Sequence, residues 1–271
     1  MTLGLGLLAA ATPASAVEPP DGAAYVALGD SEAAGTGNLP YLDADCLRSA
    51  RAYPELLGAS LGGVASSACA GASTADVLTG QFGDLGPATR LVTLTVGVND
   101  ADWQGVLLAC ATGGDLACAA AVQAAAADLA SLPLDIAQLL GAIRQQAPAA
   151  QILVTGYPHL FGDVTGTCTV GAFQGTRVTF SAAEAAAINQ AITGVNALIA
   201  GGVSLYATST GDPGVAYVDV AAAFDGHGLC DTGDRWISGL VSGVATFDRS
   251  FHLNAAGQQA YAGILAGALA G

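Results

Sequence analysis

One serine and three histidines pose the chemical question in this sequence. The stretch YVALGDSEAAGTG, residues 25–37, leaves an apolar run and presents Ser31 within three residues of its end. A serine hydroxyl is a weak nucleophile at neutral pH and needs an adjacent base, most often histidine. The only histidines are His159, His227 and His252. Acyl transfer also needs hydrogen-bond donors aimed at the developing oxyanion. The Ser31 backbone N–H, the Gly71 backbone N–H and the Asn99 side-chain amide are candidates, and glycine at 71 lets the backbone approach closely without a Cβ in the way.

These residues gain meaning from the elements that precede them. Short apolar runs occur at 23–28 (AAYVAL), 91–97 (LVTLTVG), 151–156 (QILVTG) and 215–220 (VAYVDV), with a weaker one at 62–68 (GGVASSA). Ala-rich helical stretches fall at about 122–146 and 182–200, and a final helix is expected from Asn254, a good N-cap residue. The alternation predicts an α/β fold with a doubly wound parallel sheet, three layers deep, in one domain over 17–271. Strands covered on both faces should be apolar throughout, as these are. In such sheets sites gather outside the carboxyl ends of the strands. Gly29-Asp30-Ser31 follows the first run, CAGAS with Gly71 the second, and GVND with Asn99 the third. YPHL with His159 follows the fourth, AAAFDGHGLC with His227 the fifth, and FDRSFHLNAAGQ with His252 precedes the last helix.

Composition narrows the function classes. All seven basic residues are arginine, against 22 acidic ones, for a formal net charge of −15. So acidic a chain should repel nucleic acid and anionic membranes, whose binding needs Lys and Arg at phosphates. The start, MTLGLGLLAAATPASAVEPP, has a short apolar run and an Ala14-Ser15-Ala16 cleavage pattern but no basic n-region, so residues 1–16 are expected to be a secretory signal remnant. The run is too short to span a bilayer, which takes about 20 apolar residues. Six cysteines in an exported chain point to three disulfides, with the pairing open. No CxxC occurs, and the spacings match no zinc site. There is no GxSxG elbow, no P-loop and no GxGxxG after a strand.

Taken together, GDS near the start, a glycine in the second block, GVND in the third and a late histidine resemble the GDSL, or SGNH, hydrolase family. CLRSARAYPELL, SACAGASTADV, DGHGLC and SFHLNAAGQQAYA sharpen the likeness toward secreted esterases and lipases of actinomycetes. The resemblance implies a flavodoxin-like three-layer α/β/α sandwich with a central parallel five-stranded sheet. It makes Ser31 the nucleophile, His252 the general base, and Gly71 and Asn99 the partners of Ser31 N–H in the oxyanion hole. It also implies the pairs Cys46–Cys69, Cys110–Cys118 and Cys168–Cys230, the first tying down the loop that carries Gly71. Many members have an acid three residues before the histidine; here that position is Arg249, with Asp248 one further back. Asp248 is therefore a possible third member, with a backbone carbonyl of Arg249 or Ser250 as the alternative that orients the ring. Glu32 replaces an apolar or aromatic residue and is expected near the pocket mouth.

Bland roles stand beside these. Asp30 is expected to stabilise its turn or cap a helix, His159 to be structural, and His227 to be structural or substrate-side in a disulfide-tied loop. Trp103 and Trp236 are expected in the acyl pocket or in core or rim packing. The expectation is a secreted, monomeric serine ester hydrolase (esterase, lipase or phospholipase) that cleaves carboxylic esters through an acyl-enzyme on Ser31. It needs no metal or organic cofactor, takes small-molecule or lipid esters, and neither binds nucleic acid nor spans a membrane. The alternatives are a carbohydrate esterase that deacetylates polysaccharide, and a non-catalytic binding or surface protein on the same scaffold.

Overall fold

The computed structural model describes residues 22–270; the segment read as a signal remnant lies outside them. In chain order the elements are β1 (Tyr25–Gly29), α1 (Ser31–Ala34), β2 (Tyr41–Asp43), β3 (Arg48–Ser49), α2 (Tyr53–Leu61), β4 (Ala65–Ser66), α3 (Thr74–Gly80) and β5 (Leu91–Thr95). There follow α4 (Trp103–Asp128), α5 (Leu132–Gln146), β6 (Gln151–Thr155), β7 (Thr167–Phe173), β8 (Thr176–Ser181), α6 (Ala182–Thr210), β9 (Val215–Val218) and α7 (Ala255–Ala270). Five strands pair in the order β4-β1-β5-β6-β9, every pairing parallel. The expected five-stranded parallel sheet is present, and its strand order reverses between β1 and β5. Such a switch point opens a crevice at the carboxyl ends.

β1 and β5 are buried at every position, which explains their unbroken apolar character. The polar groups they bury are paired across the core. Tyr25 Oη lies 3.0 Å from Thr93 Oγ1, and Thr95 Oγ1 lies 2.8 Å from Tyr53 Oη and 2.6 Å from Thr155 Oγ1. At the end of β1, Gly29 has φ 137°, and a Cβ there would come within 2.1 Å of the Thr95 carbonyl oxygen. Only glycine lets β1 close this tightly on β5 as the chain turns toward Ser31.

The helical reading changes in two places. The expected helix over 122–146 is divided, because a 3-10 turn at Leu129–Ser131 precedes α5, whose first turn contains Pro133. Proline fits a helix start and resists a helix interior. The helix expected over 182–200 runs on to Thr210, through Gly201-Gly202, where Gly202 packs against Ile136 and a Cβ would lie 2.7 Å from that side chain. α7 begins after Asn254, whose Oδ1 accepts from Ala256 N–H (2.9 Å) and Gly257 N–H (3.1 Å).

Additions to this frame lie on the carboxyl side of the sheet. β2 and β3 form a small antiparallel hairpin after β1, and β7 and β8 form a longer one after β6. α4 bends at Gly114 (φ 73°, ψ 177°), between Cys110 and Cys118. Three disulfides are formed: Cys46–Cys69, Cys110–Cys118 and Cys168–Cys230.

Candidate active site

Ser31 opens α1, a single turn whose placement follows from the residues around it. Asp30 is fully buried, and its carboxylate accepts from Glu32 N–H (3.0 Å), capping the turn. Its other oxygen accepts from Tyr157 Oη at 2.5 Å, and that phenol in turn accepts from Val98 N–H at 3.3 Å. One phenol thus fixes the Ser31 turn against the segment that carries Asn99. On the far side Gln81 brackets Gly29, accepting from its N–H at 2.7 Å and donating to its carbonyl at 2.8 Å.

The second and third blocks are locked to each other. Asn99 Nδ2 donates to Ala72 O (3.2 Å), while the Asp100 carboxylate accepts from Thr74 N–H (3.1 Å) and Thr74 Oγ1 (2.5 Å). Gly71 has φ 82°, is exposed, and has no atom within 4 Å of where a Cβ would stand. The Cys46–Cys69 bridge and the bond from Ala70 N–H to Cys46 O (3.0 Å) tether this loop. Among the described residues neither Ser31 N–H nor Gly71 N–H has a hydrogen-bond partner. Asn99 keeps its second amide hydrogen free.

His252 reaches this edge from the last connection. Asn38 Nδ2, in the loop after Ser31, donates to Leu253 O at 2.8 Å. Gln258 of α7 accepts from Tyr53 N–H (2.6 Å) and donates to Glu32 O (3.2 Å), clamping the Ser31 turn to the start of the last helix. Gly37 packs on Arg249, where a Cβ would meet Arg249 Cα at 2.7 Å. Just before His252, Phe251 holds a left-handed φ of 63°, rare for a bulky side chain and typical of strain kept at a site. The imidazole Nδ1 lies 3.1 Å from the Ser250 carbonyl oxygen. The Asp248 carboxylate instead receives the hydroxyl of Tyr41.

Three ionisations are displaced among these residues. Burial pushes Asp30 up to about 7, against the pull of the Tyr157 hydroxyl and Glu32 N–H. Burial, reinforced by the Asp30 charge, raises Glu32 to about 8. Burial also lowers His252 below its ordinary value, opposed by the Asp248 and Ser250 carbonyls. Burial therefore favours the neutral form of the ring.

Glu32 is half-buried beside Ser31, and its Oε2 is shielded from solvent with no hydrogen-bond partner among the described residues. The other histidine and tryptophan residues have partners of their own. His159 Nε2 lies 2.8 Å from Thr193 Oγ1. His227 stacks on Trp236 with centroids 3.5 Å apart, its Nδ1 2.7 Å from Asp234 O. Trp236 also meets Phe224 edge-on, and Trp103 packs partly buried against the core. Tyr157, Gln81, Asn38 and Gln258 went unread in the sequence, because each acts through a partner at least 39 residues distant or through the backbone of a remote segment.

Fold and sequence together define the class as a three-layer α/β/α ester hydrolase. The chain belongs to the GDSL-like lipase/acylhydrolase family, whose sequence model matches residues 27–260. It is 37% identical over 239 residues to a lipase of Streptomyces rimosus, covering 86% of this chain and 82% of that protein. It is 34% identical to Lipase 1 of Streptomyces coelicolor, covering 99% and 94%. The crystal structure of phospholipase A1 from Streptomyces albidoflavus NA297 superposes with a TM-score of 0.77 at 37% identity, covering 91% of this chain and 99% of that one.

Proposed function

We propose that this protein is a secreted, monomeric lipase or phospholipase whose site is a Ser31–His252 dyad. The observation that supports it most is the meeting of four separate connections at the β1–β5 crevice, with two backbone N–H groups left unpaired there. In this reading the Ser250 carbonyl accepts Nδ1–H of His252, leaving Nε2 to take the Ser31 proton. Ser31 Oγ then bonds to the ester carbonyl carbon, and the oxyanion rests on Ser31 N–H, Gly71 N–H and Asn99 Nδ2. His252 returns the proton to the departing alcohol as the C–O bond breaks. Water repeats the sequence and releases the acid and free Ser31.

Relatives named as a lipase and as phospholipase A1 support acyl esters of glycerol or phosphoglycerol as the substrate class. The three disulfides and a relative named an extracellular lipase support export, with residues 1–16 as signal remnant and 17–271 as the working domain. An open cleft of about 620 Å³ runs from Gly71 past the Cys46–Cys69 bridge, with Arg48, Ser67, Asp76 and Asp84 among its lining residues. It suits a polar alcohol portion, and it favours saccharide deacetylation as the second reading. Parallel assays on a phosphatidylcholine, a triglyceride and acetylated xylan separate the two.

A fluorophosphonate is expected to label the protein once, and Ser31→Ala to abolish the label. Labelling that survives Ser31→Ala would assign the nucleophile elsewhere. Asn99→Ala is expected to lower kcat on a soluble nitrophenyl ester by about 10²- to 10³-fold with KM nearly unchanged, the cost of one oxyanion donor. A change confined to KM would remove Asn99 from the oxyanion hole.

A further inference from the structure

Nine large apolar side chains are exposed among the described residues, and six of them lie at the two hairpins, on the bent helix α4 and in the segment before His252. Exposed leucines scattered singly carry no message. These six are not scattered. Leu39 and Leu42 flank Tyr41 at the β2–β3 hairpin, with Leu42 64% exposed. Phe173, near the tip of the β7–β8 hairpin, meets Phe247 edge-on with centroids 6.3 Å apart, and both rings are about half exposed. Phe247 is the neighbour of Asp248, which holds the Tyr41 hydroxyl, so the two hairpins meet through this segment.

Leu108 and Leu116 stand on α4. β5 ends at the carboxyl edge, and α5 must begin there to run back to the start of β6, so α4 has to go out and return. It does so at the Gly114 bend, its two arms joined by Cys110–Cys118 with Cα atoms 4.1 Å apart. Leu116, 89% exposed, sits beside the bend. Asp115 accepts from Ser181 Oγ at 2.8 Å, which ties this knob to the end of β8.

We infer that these projecting apolar tips dock the enzyme on a zwitterionic phospholipid surface, with the mouth of the site facing the lipid. Separate tips suit insertion among fluid acyl chains, whereas a protein partner of ordinary size needs a continuous, complementary face of about 800 Å². A formal charge of −15 opposes anionic surfaces. Arg249 offers the complement for a headgroup phosphate, being exposed, close enough to Tyr41 for its charge to act on the phenol, and without an ion-pair partner among the described residues. The inference rests on the ester-hydrolase reading of Ser31 for its orientation, not for its binding measurement.

Flotation of the full chain carrying Ser31→Ala with phosphatidylcholine vesicles measures docking without turnover. Binding is expected, at least about tenfold weaker once Leu42→Glu, Leu116→Glu and Phe173→Glu are added, and weaker on phosphatidylglycerol vesicles. The same three changes on the wild-type Ser31 background should leave turnover of a soluble acetate ester within about twofold. Equal flotation of both proteins, no flotation of either, or light scattering that shows the three changes splitting a dimer would overturn the surface. Flotation that behaves as expected in a protein with no ester turnover would sink the Ser31 reading and leave docking standing.

Discussion

Replacing His252 by alanine is expected to lower kcat on a soluble nitrophenyl ester by about 10⁴-fold or more, while Asp248→Asn leaves it within about threefold. The contrast follows from where the two side chains' partners are. The imidazole is oriented at Nδ1 by the Ser250 carbonyl, 3.1 Å away, whereas the Asp248 carboxylate is taken by the Tyr41 hydroxyl. In the proposed dyad, removing the ring leaves Ser31 without a base, and the residual rate reflects the proposed oxyanion donors and binding alone. Removing the Asp248 charge leaves the orienting carbonyl in place. Because burial lowers the His252 pKa, kcat/KM should rise from the acid side with an apparent pKa below about 6.5 and be level by neutrality. An Asp248→Asn variant as impaired as His252→Ala would restore a carboxylate to the site.

Glu32→Gln is expected to stabilise the protein by about 3 kcal/mol at pH 7, and to flatten its stability between about pH 5 and 8. In the unfolded chain this carboxyl ionises near 4.5; in the folded one, shielded and beside Asp30, it keeps its proton to about 8. Between those values the unfolded state binds fewer protons, so stability falls as pH rises. Below the lower value both states are protonated and the penalty vanishes. Asp30 adds a loss of the same sign between about 3.8 and 7. Glutamine keeps the shape and removes one titration. Denaturant unfolding of both proteins at pH 5 and pH 8 measures the effect, and parallel pH curves would refute it. His252 works in the opposite direction, since its lowered pKa costs stability as pH falls through the imidazole range. Folding thus favours weak acid while catalysis favours neutrality.

Much of this was legible because β1, β5 and β6 are doubly covered and therefore apolar in an unbroken run, which periodicity detects. Ser31, Gly71 and Asn99 each follow such a run or its weaker neighbour, so the carboxyl-edge rule pointed to them. The hairpin of β7 and β8 escaped, since Gly171 interrupts the alternation of β7 and no apolar run marks either strand. The bend in α4 was hidden for the opposite reason: Gly113-Gly114 lies in an Ala-rich stretch where local composition tolerates helix, and the disulfide fixes what composition leaves open. The shielding of Glu32 Oε2 is not legible in the sequence, because its position beside Ser31 says nothing about which way its carboxyl faces. Tyr157 reads locally as one more apolar residue after a strand; only the fold brings its hydroxyl to Asp30, 127 residues away in sequence.

The cystines also divide the molecule by redox sensitivity. Each closes within segments that leave the carboxyl edge, and none joins two strands of the central sheet. Cross-links of this kind act chiefly by limiting the freedom of the chain between them. A thiol-rich environment would therefore free the Gly71 loop, the α4 knob and the span from β7 to Cys230, which carries α6 and the edge strand β9, and the whole fold would lose the stability those closures supply.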